Sequence, residues 1–196
     1  MDILISGFKP FLGETINPSE KIVQKLSTSQ ENIRTITLPV EFENAFEILK
    51  IEIIKNHPDY LIMLGQASGR SVVSLERIAL NWVQTHHPDE KGAMPPTGSI
   101  QEGAPLARMS KFPIDSIFED LKGLGLPVEI SFSAGAYVCN DLYFRVLQEF
   151  PKLKAIFIHV PLIREQLKEN DPRPALQFSQ AFQVIQSAIQ LLSKLR

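Results

Sequence analysis

The 196-residue sequence predicts an α/β fold with a mixed, mostly parallel central sheet. Short apolar runs recur at Ile3–Ile5, Ile33–Leu38, Tyr60–Leu64, Val128–Phe132 and Ala155–Val160, and segments with helical spacing lie between them. Strands alternating with helices along a chain build crossover units, which favour parallel pairing. The length suffices for one core, and no stretch reads as a hinge, so one domain over residues 1–196 is expected.

Each element has its own signal. After the first apolar run, Asn17-Pro18-Ser19-Glu20 reads as a helix start. Asn caps, Pro suits the first turn, and Glu20 stands where a capping-box carboxylate belongs, so a helix is predicted to about Leu26. Phe42–Asn56 and Pro113–Leu121 have amphipathic helical spacing. The stretch SVVSLERIALNW alternates as a strand and places Glu76 on the face of Val72, Ile78 and Leu80. Following Val128–Phe132, the residues Leu142, Phe144, Val146 and Leu147 mark another helix, and Ala155–Val160 the next strand. From Pro174 onward, Leu176, Phe178, Ala181, Phe182, Ile185, Ala188, Ile189 and Leu192 share one broad apolar face, predicting a long helix over the sheet. Thr85–Pro105, rich in Pro and Gly, has no periodicity and reads as a long functional loop.

Composition narrows the classes of function. A net charge of −2 with 44% hydrophobic and 21% charged residues gives no electrostatic footprint for nucleic acid. The opening MDILISGFKPF is apolar only as far as Lys9 and Pro10, too short for a secretion signal or a membrane span. A cytosolic protein without membrane partners is expected. The single cysteine, Cys139, excludes an intrachain disulfide and a cysteine-rich zinc site.

Cys139 lies in SAGAYVCNDL, between an apolar strand and a helical stretch, and so falls in the first turn of a helix. Unpaired amides and the helix dipole there favour a thiolate and can lower a cysteine pKa, and the same amides can hold an oxyanion. A small buried hydrophobe is the other reading of a lone cysteine. His159, in AIFIHVP, stands at the C-terminal end of a strand, the edge where α/β sheets bind ligands, and could serve as base to a thiol. A carboxylate on an apolar face needs a partner. For Glu76 that partner is either His159, as orienting group, or an arginine such as Arg70 in an ordinary ion pair.

The strings SGFKPFLGETINPSEKIV, GQASGRSVVSLERIALNW, HHPDEKG, SAGAYVCNDL and FIHVP, in this order and at these separations, resemble the pyroglutamyl peptidase I (pyrrolidone-carboxylate peptidase) family over nearly the whole chain. The resemblance implies a cytosolic cysteine peptidase of single-domain α/β/α sandwich architecture, commonly a homo-oligomer such as a tetramer or dimer. Its substrates would be peptides with an N-terminal pyroglutamate, and it would need no cofactor and no metal. Matched motif by motif, it implies a catalytic Cys139, His159 and Glu76. Phe8 and Phe11 would sandwich the lactam ring, Tyr137 and Val138 would line it, Gln66 would hydrogen-bond it, and Asn17 would brace the loop carrying Phe11.

Several positions depart from the family pattern: Leu12 and Ser68 stand where glycine is usual, Val40 where some members have threonine, and Asp141 where the histidine of CNH is usual. His86-His87 replaces an arginine and an apolar residue. With an imidazole at His86, a loop folded over the site would add a pH-dependent charge. These changes keep open a homologue that binds a lactam or pyroglutamyl terminus but turns it over poorly. A weaker alternative is a metal site built from Cys139, His159 and the His86-His87 pair.

Overall fold

The computed structural model describes residues 1–27 and 32–194. In chain order the elements are β1 (Ile3–Phe8), α1 (Pro18–Leu26), β2 (Ile33–Leu38), α2 (Asn44–Asn56), β3 (Tyr60–Gln66), β4 (Val73–Glu76), β5 (Ile78–Leu80) and β6 (Ala107–Met109). There follow α3 (Ile114–Gly123), β7 (Val128–Ser131), α4 (Val138–Glu149), β8 (Lys154–Val160), β9 (Leu162–Ile163), β10 (Ala175–Leu176) and α5 (Phe178–Leu192). Six strands form the central sheet in the order β2-β1-β3-β8-β4-β7. All neighbours pair in parallel except β4 and β8, which are antiparallel. The mixed, mostly parallel α/β fold is as the sequence predicts.

Alternation along the strands sorts two cores. Ile3, Ile5, Ile62, Leu64, Ile156 and Ile158 face α1, α3 and α5, whereas Leu4, Phe8, Leu61, Met63, Ala155 and Phe157 face α2 and α4. The inner strands β1, β3 and β8 are covered on both faces and therefore read as nearly continuous apolar runs. His159 shares the period-two face of Phe157, and Glu76 lies opposite in phase to Val73 and Leu75. Both polar residues therefore point into the layer of α4, the helix that carries Cys139.

The helix start at α1 is built as its sequence suggests. Asn17 Oδ1 accepts the Ser19 N–H at 3.0 Å, while its Nδ2 donates to the Lys9 carbonyl at 3.0 Å. Among the described residues no bond from Glu20 completes a capping box. Several boundaries differ from expectation. Leu176 belongs to β10, paired in parallel with β9, and α5 begins at Phe178. The stretch after Val72 is also not one strand: at Arg77 the chain leaves the central sheet, and β5 pairs with β6 instead. Arg77 there bonds Asp115 of α3. The apolar run at β7 ends at Ser131, leaving Phe132 exposed.

Candidate active site

Glu76 and His159 meet because of strand register. In the antiparallel β4–β8 pair, Ser74 stands opposite His159 and Glu76 opposite Phe157. Glu76 is thus the diagonal neighbour of His159, within reach for a long side chain. His159 Nδ1 lies 2.8 Å from Glu76 Oε1, and both groups are buried. A carboxylate only accepts, so the imidazole donates from Nδ1 and leaves Nε2 free to take a proton. Arg70 closes the other side of the same oxygen, with a guanidinium nitrogen 2.9 Å from Glu76 Oε1. Both partners considered for Glu76 are therefore present at once.

Cys139 is the second residue of α4, after Tyr137 at the cap position. Helix α4 is fastened at this end by Asn140, whose Oδ1 accepts the Leu80 N–H and whose Nδ2 donates to the Leu80 and Trp82 carbonyls, each at 2.9 Å. Tyr143, one turn further on, donates to the Glu76 carbonyl at 2.8 Å. Beside the thiol lies Gly65, paired with His159 across β3 and β8. A Cβ at Gly65 would lie 3.0 Å from Sγ of Cys139 and 2.7 Å from the Phe157 ring, so only glycine leaves the thiol its place.

The electrostatics differ from the sequence expectation. Helix-start amides were expected to depress the thiol pKa. Burial, reinforced by the Glu76 charge, instead pushes it up to about 12, with the residue's own backbone N–H and Arg70 opposing. Burial also lowers the His159 imidazole, although the Glu76 hydrogen bond and charge oppose the shift. Burial thus favours a neutral thiol and a neutral imidazole at rest.

These groups open onto a cavity of about 140 Å³ lined by Phe8, Phe11, Asn17, Val40, Gln66, Ala134, Tyr137, Cys139 and His159. Drug-sized sites occupy roughly 300–1,000 Å³, so this one suits a much smaller group. Larger hollows exist, one of about 530 Å³ between the ends of α2 and α4, but they contain none of these residues. Gln66 lines this cavity and its Oε1 accepts from Gln166 Nε2 at 2.8 Å, a bond that leaves the Gln66 N–H groups to donate elsewhere. Burial beside Asp89 and Glu90 pushes the Tyr137 phenol up to about 12, and its hydroxyl donates to the Pro88 carbonyl at 2.9 Å.

The structure brings together Cys139, His159, Glu76, Phe8, Phe11, Asn17, Gln66 and Tyr137. Two expected residues stand apart. Val138 is fully buried in the α2/α4 core and does not line the cavity. His86 is exposed and lies outside the cavity lining. What binds the loop to the site is Asp89, which accepts the Phe42, Lys91 and Ala93 amides at 2.8–2.9 Å, together with the Tyr137–Pro88 bond. The remaining departures are accommodated in different ways. Leu12 takes φ 52°, the left-handed region that suits glycine, whereas Ser68 keeps a negative φ and needs no glycine. Asp141 accepts the Glu43 N–H at 3.2 Å and pairs with Arg145 at 2.9 Å. Among the described residues no group of three or more His, Cys, Asp or Glu side chains is placed to hold a metal.

Sequence reasoning missed Val40 and Ala134 as lining residues and Gly65 as the space beside the thiol. A glycine ending an apolar run was the available signal for the last.

A thiol at a helix start and a buried imidazole–carboxylate pair around one small cavity have the composition of a cysteine hydrolase site. The chain belongs to the pyroglutamyl peptidase family, whose sequence profile matches residues 1–195. It is 40% identical over 182 residues to a pyrrolidone-carboxylate peptidase of Thermococcus onnurineus, covering 90% of each chain. To the enzyme of that name from Bacillus velezensis it is 36% identical, over 89% of this chain and 85% of the relative. Among solved structures, the pyrrolidone carboxyl peptidase of Fervidobacterium islandicum superposes with a TM-score of 0.91 at 32% identity, covering 99% of both chains. Pyroglutamyl peptidase I of Bacillus amyloliquefaciens gives 0.89 at 33% identity, over 95% of this chain and 94% of that one.

Proposed function

We propose that this protein is a pyroglutamyl peptidase that removes N-terminal pyroglutamyl residues from peptides through a thioester, with Cys139 as nucleophile, His159 as general acid–base and Glu76 as its orienting group. The observation that carries the assignment of roles is the buried 2.8 Å His159–Glu76 bond at the floor of a cavity that also exposes Cys139. As the substrate carbonyl approaches, His159 Nε2 takes the thiol proton and Sγ attacks the carbonyl carbon. The oxyanion meets the free amides of the first turn of α4. His159, now imidazolium, returns the proton to the departing amine, and the thioester remains. Water deprotonated by His159 then hydrolyses it, releasing pyroglutamate and the Cys139 thiol.

A five-membered lactam is flat, uncharged and small enough for the cavity. Phe8 and Phe11 supply apolar faces, and Gln66 supplies a hydrogen-bonding amide for the lactam carbonyl. A free amino terminus would bring a charge into this apolar slot without a carboxylate to meet it.

No helix among the described residues is long and apolar enough to cross a membrane. A single domain, a cytoplasmic setting and a homo-oligomer, dimer or tetramer, complete the reading by family likeness. The test is turnover of a chromogenic pyroglutamyl amide beside prolyl and alanyl amides, with Cys139→Ala as control. Rapid, selective cleavage of the first, abolished in a folded Cys139→Ala protein, is expected. A protein that binds pyroglutamate but releases no amine would instead be the non-catalytic homologue.

A further inference from the structure

Arg70 has no part in the steps above, yet it occupies a singular place. One guanidinium nitrogen lies 2.9 Å from Glu76 Oε1, the oxygen that also binds His159, and donates to the Ser133 carbonyl at 3.0 Å. Ser133 begins the short segment leading into the cap of α4 and so to Cys139. The other terminal nitrogen lies 3.7 Å from Glu129 of β7, which in turn accepts from Ser74 Oγ at 2.7 Å. Glu76 Oε2 is buried without a hydrogen-bond partner, so the orientation of the carboxylate rests on Oε1 alone.

We propose that Arg70 is a positioning residue of the reaction: it fixes the Glu76 oxygen that orients His159 and ties that oxygen to the segment presenting Cys139. The inference rests on the peptidase reading above. An ordinary ion pair would neutralise the carboxylate without tying it to the nucleophile's segment. Here one nitrogen bridges two parts of the machinery that come from different elements, β4 and the lead into α4. Arginine suits the task because its planar fork holds several acceptors in fixed directions, which an ammonium does not.

The cation also acts on the proton transfer. The titratable and charged groups around the centre are His159 on β8, Glu76 on β4, Cys139 and Tyr143 on α4, Glu129 on β7 and Arg70 itself. Within that set Arg70 favours the thiolate of Cys139 and disfavours the imidazolium of His159. Removing it leaves the Glu76 charge unopposed, so both groups hold their protons to higher pH. The acid limb of kcat/KM and the pH dependence of Cys139 alkylation should both move upward.

The experiment compares wild type, Arg70→Met and Arg70→Lys, and combines Arg70→Met with Glu76→Gln. Three readouts are taken: pyroglutamyl-amide kinetics against pH, iodoacetamide alkylation of Cys139 against pH, and circular dichroism for folding. For Arg70→Met, kcat should fall about 10²-fold with KM nearly unchanged, because misplacing reacting groups by about 1 Å costs that much. Both pH curves should shift upward by about half a unit or more. Arg70→Lys should restore the pH curves but only part of kcat. In the Glu76→Gln background, Arg70→Met should add little, since both act through one group.

Unshifted pH curves with near-wild-type kcat in folded Arg70→Met, or full additivity with Glu76→Gln, would overturn the proposal. If Arg70→Met does not fold, Arg70→Lys decides, and wild-type kcat there overturns it. Alkylation requires no substrate. A wild-type protein inert toward pyroglutamyl amides but with an Arg70-dependent alkylation curve would therefore refute the peptidase reading and not the coupling of Arg70 to the thiol.

Discussion

Replacing Gly65 by alanine adds one methyl group beside the Cys139 thiol. Its φ is not positive, so alanine meets no backbone strain and the cost is purely steric. The new Cβ would lie 2.7 and 2.8 Å from two atoms of the Phe157 ring and 3.0 Å from Cys139 Sγ, distances at which something must move. Phe157 has little freedom, being fully buried with ring centroids 4.8 Å from His159, 5.9 Å from Tyr143 and 6.5 Å from Phe8. Cys139 borders the cavity, so the thiol is the atom that yields. Overpacking of this kind costs about 1–3 kcal/mol of stability. With a urea slope of about 2–3 kcal/mol/M, a 2 kcal/mol loss lowers the midpoint by roughly 0.7–1 M. Displacing Sγ by even a fraction of an ångström spoils its line to the carbonyl, and kcat/KM should fall by about 10²-fold. Equilibrium urea unfolding and hydrolysis of a pyroglutamyl amide measure the two effects separately. A Gly65→Ala protein with wild-type kcat/KM would refute the claim that this glycine clears the thiol's position.

Four further outcomes follow from other residues. Since the free thiol is pushed up to about 12, alkylation of Cys139 by iodoacetamide should keep accelerating above pH 9, and a plateau by pH 8 would contradict a neutral resting pair. In the folded state His159 is depressed, so below about pH 6.5 the unfolded chain binds its proton first. The contribution of this histidine to stability, complete above that pH, should be lost as pH falls through the folded value; it can be followed by urea midpoints for wild type and His159→Gln, whose pH dependences should diverge in that window. Leu12→Gly should relieve about 1 kcal/mol of left-handed strain, partly offset by glycine's entropy, and raise Tm by about 2 °C; a lower Tm would show that the exposed Leu12 side chain stabilises its loop. For His86→Arg the exposed position predicts pH–rate profiles that superimpose on wild type, and a flattened alkaline limb would show that the loop closes over the site during turnover.

The legible parts of the molecule were those fixed by local chemistry. Asn17 caps because its side chain reaches an amide two residues on, and the inner strands show as apolar runs because both faces are covered. Cys139 could be placed at a helix start because the apolar spacing changes there. Strand order is a different kind of fact. Nothing local announces that β4 runs antiparallel to β8, yet that pairing makes Glu76 the diagonal neighbour of His159. The direction of the thiol shift was likewise hidden, because it depends on how much protein surrounds Sγ and not on its place in the helix. Val138 was assigned to the cavity by likeness to the family, but its neighbour Cys139 faces the cavity while Val138 turns to the core, as adjacent helical positions point about 100° apart. The importance of Gly65, and of Arg70 beyond an ion pair with Glu76, is hidden for a related reason: it lies in what stands beside them in space.

Asn140 gives the site a kind of insulation. Its amide fastens α4, the helix of Cys139, to Leu80 and Trp82, upstream of the long loop that follows Val83, and that anchorage uses only backbone groups of the strand side. Exposed residues beyond it, such as His86 and His87, can change without dragging the thiol, since the attachment point does not depend on their side chains. The histidine pair at 86 and 87, in place of the usual arginine and apolar residue, sits on the far side of that anchor. Substitutions at such exposed loop positions can therefore leave Cys139, His159 and Glu76 where they are.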